Sequence, residues 1–256
     1  MPDVNLEPLP DMPALIIAGQ RRWACIADLH IGIEASLRAS GFNVPSQMPG
    51  MLSTMESLAS HADRLLILGD VKQRITHASA REDREIGHVM RELMRVFQAI
   101  VITPGNHDGG LREVIPEGCV LASAQGTVIE ETGAFHGHVW PSHRTMSARR
   151  IVMGHVHPSV LLEDSMGGRM NEKCWYRARM VKKKVLERYS SHPEELVVVP
   201  AFNPLITGSP INADGGLLGP LLRNGLVDTR SARAYLMDGT NLGTPPRVAR
   251  RPARAK

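Results

Sequence analysis

Paired cysteine is missing from this chain. Its three cysteines, Cys25, Cys119 and Cys174, are odd in number and form no CxxC pair, which argues against a disulfide framework and against a thiolate metal site. No run of about 18 apolar residues occurs, so no transmembrane helix is expected. The N-terminus, MPDVNLEPLPDMPALIIAG, carries acids and prolines where a signal peptide needs basic residues and an apolar core. A cytoplasmic location is the expectation. Internal repeats and a convincing linker are also lacking. The 256 residues therefore read as one domain over 1–243 followed by a basic, disordered tail over 244–256, with the stretch from about Leu217 onward loose and rich in Gly, Pro and Arg.

What is present suits a globular protein with a positive balance. A hydrophobic content of 43% is enough for a sizeable core, and a charged fraction of 22% is ordinary. The formal charge of +4 and pI of about 9.2 suggest a polyanionic partner, but the charge is unevenly placed. Arg247, Arg250, Arg251, Arg254 and Lys256 all lie in the tail RVARRPARAK, and without them the +4 would become −1. A second basic run, KCWYRARMVKKKVLERY, spans Lys173 to Tyr189. Two readings stand side by side: a solvated tail and helix face, or phosphate attraction by nucleic acid. On the second reading Trp175, Tyr176 and Tyr189 would be available for base stacking.

Strand-like apolar runs recur, and each ends in polar residues. RRWACIAD leads into Asp28 and His30; ADRLLILGD ends at Gly69 and Asp70; AIVITPGNHD ends at Asn106, His107 and Asp108. GAFHGH carries His136 and His138, RRIVMGHVH delivers His155 and His157, and ELVVVPAFNP ends near Asn203. Continuous runs of this kind look like strands buried on both faces. Helical patterns lie between them. QMPGMLSTMESLASHA has apolar residues at roughly helical spacing, and ASAREDREIGHVMRELMRVFQ places Ile86, Val89, Met90, Leu93, Met94 and Phe97 on one stripe. That stripe reads as core packing, and the alternation of strands and helices implies an α/β fold.

Sites in such sheets form outside the carboxyl ends of the strands. The residues delivered there, Asp28, His30, Asp70, Asn106, His136, His155 and His157, with His107 and Asp108 alongside, combine hard oxygen donors with imidazoles. That mixture suits manganese, iron or zinc and would be unusual for calcium or magnesium alone. Seven ligands are too many for one tetrahedral ion. Two ions sharing a carboxylate would use them all, and Asp70 is central in the order. Taken singly, DxH and GD are weak signals, GHxH is moderately specific and GNHD is rare. Their ordered recurrence after successive strands makes coincidence a poor account. Six of the eleven histidines fall inside the series, while His61, His77, His88, His143 and His192 read as ordinary surface or core residues.

The series resembles that of the calcineurin-like metallophosphoesterase superfamily, from about Ala24 to Pro158. DLHIGIEASLRASGFNVPSQ and VVVPAFNPLITGSPIN are similar to segments of its ligase-associated and archaeal predicted phosphoesterase branch, which extends the resemblance to about Asn212. The resemblance implies an αββα sandwich, two mixed sheets flanked by helices, with two divalent metal ions at its edge. It implies Asp28, His30, Asp70 and His157 for the first ion and Asp70, Asn106, His136 and His155 for the second. His107 would be the catalytic histidine and Asp108 its orienter. HGH offers both His136 and His138, and the family pattern of His followed by Gly favours His136. Where the family often has an acidic residue three positions after the bridging Asp, this chain has Gln73. The implied activity is hydrolysis of a phosphate ester in nucleic acid or nucleotides by attack of a hydroxide bridging the two ions. The rival is a non-catalytic scaffold of the same fold beside a nucleic-acid-processing enzyme; a helicase or ligase partner is suggested by the resemblance alone. Loss of ligands normally marks such scaffolds, and none of the expected ligands is missing here.

Overall fold

In a computed structural model of the chain, residues 4–75, 80–213 and 218–248 are described. Two sheets pack face to face. The first runs in chain order: β1 (Asn5–Pro8), β2 (Leu15–Ala18), β3 (Arg22–Ile26), β4 (Arg64–Ile67), β5 (Ala99–Ile102) and β6 (Cys119–Leu121). Its first three strands are antiparallel neighbours, and β3 to β6 are parallel. The second sheet contains β7 (Thr127–Ile129), β8 (Thr132–Phe135), β9 (Arg150–Met153), β10 (Pro158–Glu163), β11 (Arg169–Arg179), β12 (Glu195–Val198) and β13 (Ser209–Pro210), in the order β13-β10-β11-β12-β9-β8-β7. Strands β8, β9 and β12 are parallel neighbours. Two more strands, β14 (Arg233–Leu236) and β15 (Asn241–Gly243), extend from β11.

Burial of both strand faces explains the continuous apolar runs. Leu15, Ile17, Cys25 and Leu66 meet Ala134, Val152, Trp175 and Val197 between the sheets. The alternate residues Ile16, Ile26, Leu65 and Ile67 face outward under α2 (Met48–Ser57) and α3 (Ala80–Val96). On the far side Phe135, Ile151, Leu196 and Val198 pack with Met146 of α4 (His143–Met146), Val185 of α5 (Lys182–Leu186) and Leu221 of α6 (Pro220–Arg223). A short α1 (Ile33–Ala39) precedes α2. Helix, sheet, sheet, helix is the expected layering, and each fully buried aliphatic side chain adds about 1.5–3 kcal/mol of transfer free energy.

Three expectations need correction. Met94 is 38% exposed and lies off the α3 stripe, whereas Ile86, Val89, Met90, Leu93 and Phe97 are buried. The segment after Leu217 is not loose throughout, because β14 is hydrogen-bonded to β11 over Cys174 to Arg177. Trp175, Tyr176 and Tyr189 are 2%, 3% and 4% exposed and offer no face for base stacking. They are buried because β11 has a strand on each side at Tyr176, and because Tyr189 donates its hydroxyl to the Pro141 carbonyl at 3.0 Å. The residues expected to start α3 at 78 and 79, His77, Leu217 and tail residues 249–256 lie outside the described residues. No helix among the described residues is long and apolar enough to cross a membrane.

Candidate metal centre

The parallel strands of both sheets end on one rim. Asp28 follows β3, Asp70 follows β4, Asn106 follows β5, His136 follows β8, and His155 and His157 follow β9. The exits interlock through backbone hydrogen bonds. Asp28 N donates to Gly69 O at 3.1 Å and His30 N to Asp70 O at 2.8 Å. The two sheets are tied together by the Asp28 carboxylate, which accepts from His155 N at 3.1 and 3.3 Å.

Backbone strain is concentrated on these exits. Eight non-glycine residues among those described have positive φ, and five of them are Asp28, His30, Asp70, His155 and His157. Left-handed backbone costs energy at such residues and persists only where surrounding structure holds it, commonly at functional sites. Close packing also dictates two glycines. A Cβ on Gly69, whose φ is +72°, would meet His136 Nδ1 at 2.6 Å, and one on Gly105 would collide with the Asp70 carboxylate.

Two clusters of donors result, and Asp70 belongs to both. Asp28, His30, Asp70 and His157 place one donor atom each within 4.8 Å of one another, and so do Asp70, His136 and His155. His157 Nε2 lies 3.3 Å from Asp28 Oδ1, His30 Nε2 3.6 Å from Asp70 Oδ2, and His136 Nε2 3.4 Å from Asp70 Oδ2. Asn106 Oδ1 adjoins the second cluster, 3.3 Å from His136 Nε2. Of the two histidines in HGH, His136 joins the cluster. Its Nδ1 donates to Leu68 O at 2.7 Å, which turns Nε2 toward Asp70. His138 stands behind, its ring centroid 5.2 Å from that of His136.

The donors fit a cation. His30 is 4% exposed, yet neither of its ring nitrogens has a hydrogen-bond partner, and the buried His157 Nε2 faces only the Asp28 carboxylate, at 3.3 Å, without hydrogen-bond geometry. Buried polar atoms without partners cost free energy and are rare unless something else satisfies them. Titration differs sharply between neighbours. Burial pushes His30 and His155 down to about 4. Burial also opposes charge on His136, but its hydrogen bond to Asp70 and the carboxylates of Asp28 and Asp70 outweigh this and raise it to about 9. Asp70 is held well below the usual carboxylate range: burial would raise it, but the His136 hydrogen bond and charge prevail.

The GNHD turn distributes its three polar side chains to different tasks. His107 Nδ1 donates to the Gln73 carbonyl at 2.6 Å, leaving Nε2 3.9 Å from Asp70 Oδ2. Asp108, which the sequence suggested as orienter of His107, is instead turned onto backbone amides. Its Oδ1 accepts from Lys72 N at 3.1 Å and its Oδ2 from Gly105 N at 2.8 Å. It is buried, which raises its pKa, and it pins the turn rather than the imidazole. The backbone carbonyl of Gln73 thus does the orienting.

Lys173 and Asn203 were visible in the sequence only as the start of a basic run and the end of an apolar one, with no sign of their part in the site. Asn203 is buried and donates Nδ2 to Leu29 O at 2.8 Å, bracing the DLH turn from the end of β12. Lys173 Nζ donates in turn to Ala201 O at 2.8 Å and Asn203 O at 2.6 Å, and burial lowers its pKa to about 8. This residue opens the basic run but is structural. The exposed lysines Lys182 to Lys184 follow β11 at the end of the sheet remote from the clusters.

A model of the calcineurin-like phosphoesterase family matches residues 21–189, well over half of the chain. The chain belongs to the calcineurin-like phosphoesterase family. No curated protein matches it in sequence. Among solved structures it is similar to the Pseudomonas putida nuclease MPE, at 18% identity over 93% of this chain and 100% of that one, with a TM-score of 0.54. It also matches Yfce, a phosphoesterase from E. coli, at 17% identity over 86% of this chain and 96% of that one, with a TM-score of 0.38. The first likeness and the family match agree with the two-sheet calcineurin-like fold, and family membership makes the chain a candidate hydrolase of phosphate esters.

Proposed function

We propose that this chain is a metal-dependent phosphodiesterase acting on nucleic acid or nucleotides with two divalent transition metal ions, of which manganese suits the donors best and iron or zinc are compatible. The observation that carries this reading is the sharing of Asp70 between two donor clusters. Asp28, His30, Asp70 and His157 would hold one ion, and Asp70, Asn106, His136 and His155 the other. Bound there, such ions supply Lewis-acid stabilisation of phosphoryl charge and acidify water.

The chain's own side chains divide the remaining work. His107 keeps Nδ1 on a carbonyl and presents Nε2 at the partly open side of the clusters, where its side chain is 21% exposed. From there a protonated ring can donate to the leaving oxygen. Asn106 contributes a neutral amide oxygen, which adds a donor without adding charge. A nucleic acid or nucleotide substrate is favoured by the basic tail, whose five charges account for the positive balance of the chain, and by the nuclease among its structural neighbours.

Hydrolysis of a bis-aryl phosphodiester with added manganese tests the reaction. Folded protein inactive with every divalent transition metal would refute it. Metal analysis separates the scaffold reading, because the enzyme needs about two ions per chain and metal-supplemented protein that retains none would favour the scaffold. Relative rates on single-stranded DNA, RNA and small nucleotides then rank the substrates.

A further inference from the structure

The second sheet carries a charge arrangement that the metal centre does not use. Arg177 and Arg233 are direct cross-strand partners in the antiparallel β11–β14 ladder. Like charges placed directly opposite destabilise a sheet. Arg179 lies two residues further along β11 on the same face. Glu195, the cross-strand partner of Arg179 on β12, turns to Arg177 instead and accepts from its Nε and Nη2, each at 2.9 Å. Asp228, in the turn before β14, is engaged by Ser231 Oγ at 2.6 Å. Arg179 and Arg233 are exposed, and no side-chain hydrogen bond or ion pair from a described residue reaches either guanidinium. Two positive charges are thus held on strands without an ion-pair partner among the described residues.

There is space for one beside them. An open cavity of about 510 Å³ is bounded by Arg177, Arg179, Glu195, Arg233 and Tyr235. It adjoins a second cavity of about 270 Å³ that shares Arg177 and Tyr235 and is walled by the apolar Leu9, Trp175, Val197 and Met237. Neither includes a residue of the donor clusters. They sit toward the other end of the sheet: Glu195 begins β12 and pairs with Arg150 at the start of β9, whereas His155 follows the end of β9. The strands between span three residue steps, roughly 10 Å.

We propose that this rim binds an acidic segment of a partner protein, with carboxylates on Arg179 and Arg233 and an adjacent apolar side chain in the Leu9–Met237 cavity. The planar guanidinium matches a carboxylate in two parallel hydrogen bonds, and the neighbouring apolar walls give a peptide side chain a place to bury. A single nucleic-acid strand is a poorer match, since it needs a track of charges and exposed aromatic faces. Here two guanidinium groups are unpaired, Trp175 is 2% exposed and Tyr235 is half-buried.

Fluorescence anisotropy on the full chain in EDTA tests this with a labelled peptide, Gly-Asp-Glu-Leu-Glu-Asp-Phe-Gly, its Asn/Gln counterpart and a short single-stranded DNA. The acidic peptide should bind saturably. The amide counterpart, or the Arg179→Gln/Arg233→Gln double variant, should weaken binding roughly tenfold or more, while hydrolysis of an aryl phosphodiester is unchanged. Arg233→Gln alone should raise the melting temperature of the free protein at low salt, because one of two opposed charges is gone. That measurement needs no ligand. The proposal is overturned by absent peptide binding, by binding indifferent to the arginines, or by a lower melting temperature in Arg233→Gln. DNA binding that tracks both arginines would overturn it in favour of a nucleic-acid groove. The binding and melting outcomes do not depend on whether the metal centre is catalytic.

Discussion

His107 Nδ1 lies 2.6 Å from the backbone carbonyl of Gln73, so the imidazole is oriented by main chain and not by an acidic side chain. The Gln73 side chain is then dispensable to the ring. Gln73→Ala should keep the rate within about threefold, whereas His107→Ala should lose roughly the 10²–10⁴-fold typical of general acid–base catalysis. The loss should be large for a dinucleotide and small for a nitrophenyl ester, whose leaving group needs no proton. Metal content should stay unchanged. If His107→Ala empties a metal site, His107 is a ligand. An equal loss on both substrates would make it a stabiliser of phosphate charge.

Asn106 differs from its neighbour. Its Oδ1 stands beside His136 Nε2 at the second cluster, so Asn106→Ala should lower occupancy of one ion as well as the rate. Metal analysis of the purified variant checks this, with His107→Ala as the comparison. Full occupancy in Asn106→Ala would remove it from the ligand set.

Lys173 supports the site from behind. Lys173→Met would leave the Ala201 and Asn203 carbonyls without their donor, a cost of about 1–3 kcal/mol for buried groups. The melting temperature should fall, and because Asn203 holds the Leu29 carbonyl, metal affinity of the Asp28 and His30 cluster should fall too. Isothermal titration with manganese reads the second effect. An unchanged titration would confine Lys173 to global stability.

The metal-free protein should be most stable near pH 6.5. His136 is raised to about 9, so its contribution is fully present below the ordinary histidine value of 6.5 and is lost as pH rises through about 9. His30 and His155 are pushed down to about 4, so the unfolded chain binds protons that the native one refuses, and stability falls as pH drops from 6.5 toward 4. Thermal melts of EDTA-treated protein across pH 4 to 9 check both limbs, and a melting temperature rising steadily to pH 9 would contradict them. Because His136 must shed its proton to bind metal, ion loading should strengthen as pH rises toward 9 and shift the optimum of the loaded protein upward.

An α/β fold was legible because burial of strands on both faces writes itself as uninterrupted apolar runs, and helices as a stripe at 3.6-residue spacing; the helix-sheet-sheet-helix layering came with the family resemblance. The candidate donors were legible for a related reason: parallel strands deliver whatever follows them to one rim, so DLH, GD, GNHD and GHVH could be gathered before any distance was known. Contacts between backbone atoms carry no such mark. The Gln73 carbonyl that orients His107 would be the same with any side chain at 73, and the Asn203 amide reaches Leu29 across 174 positions of chain. Burial of Trp175 and Tyr176 within a run of basic residues depended on β11 acquiring neighbours on both sides, one of them β14 from a segment that composition alone made look loose, and burial of Tyr189 on packing beside the second sheet. Sequence alone specified six of the strands, β3, β4, β5, β8, β9 and β12, the order of their polar ends and the chemical type of the donors, because these follow from local periodicity and residue identity. Tertiary structure decided which donors converge on Asp70, which histidine of HGH joins them and which arginines are left unpaired, because those depend on register and on the distance between chain segments brought together by packing.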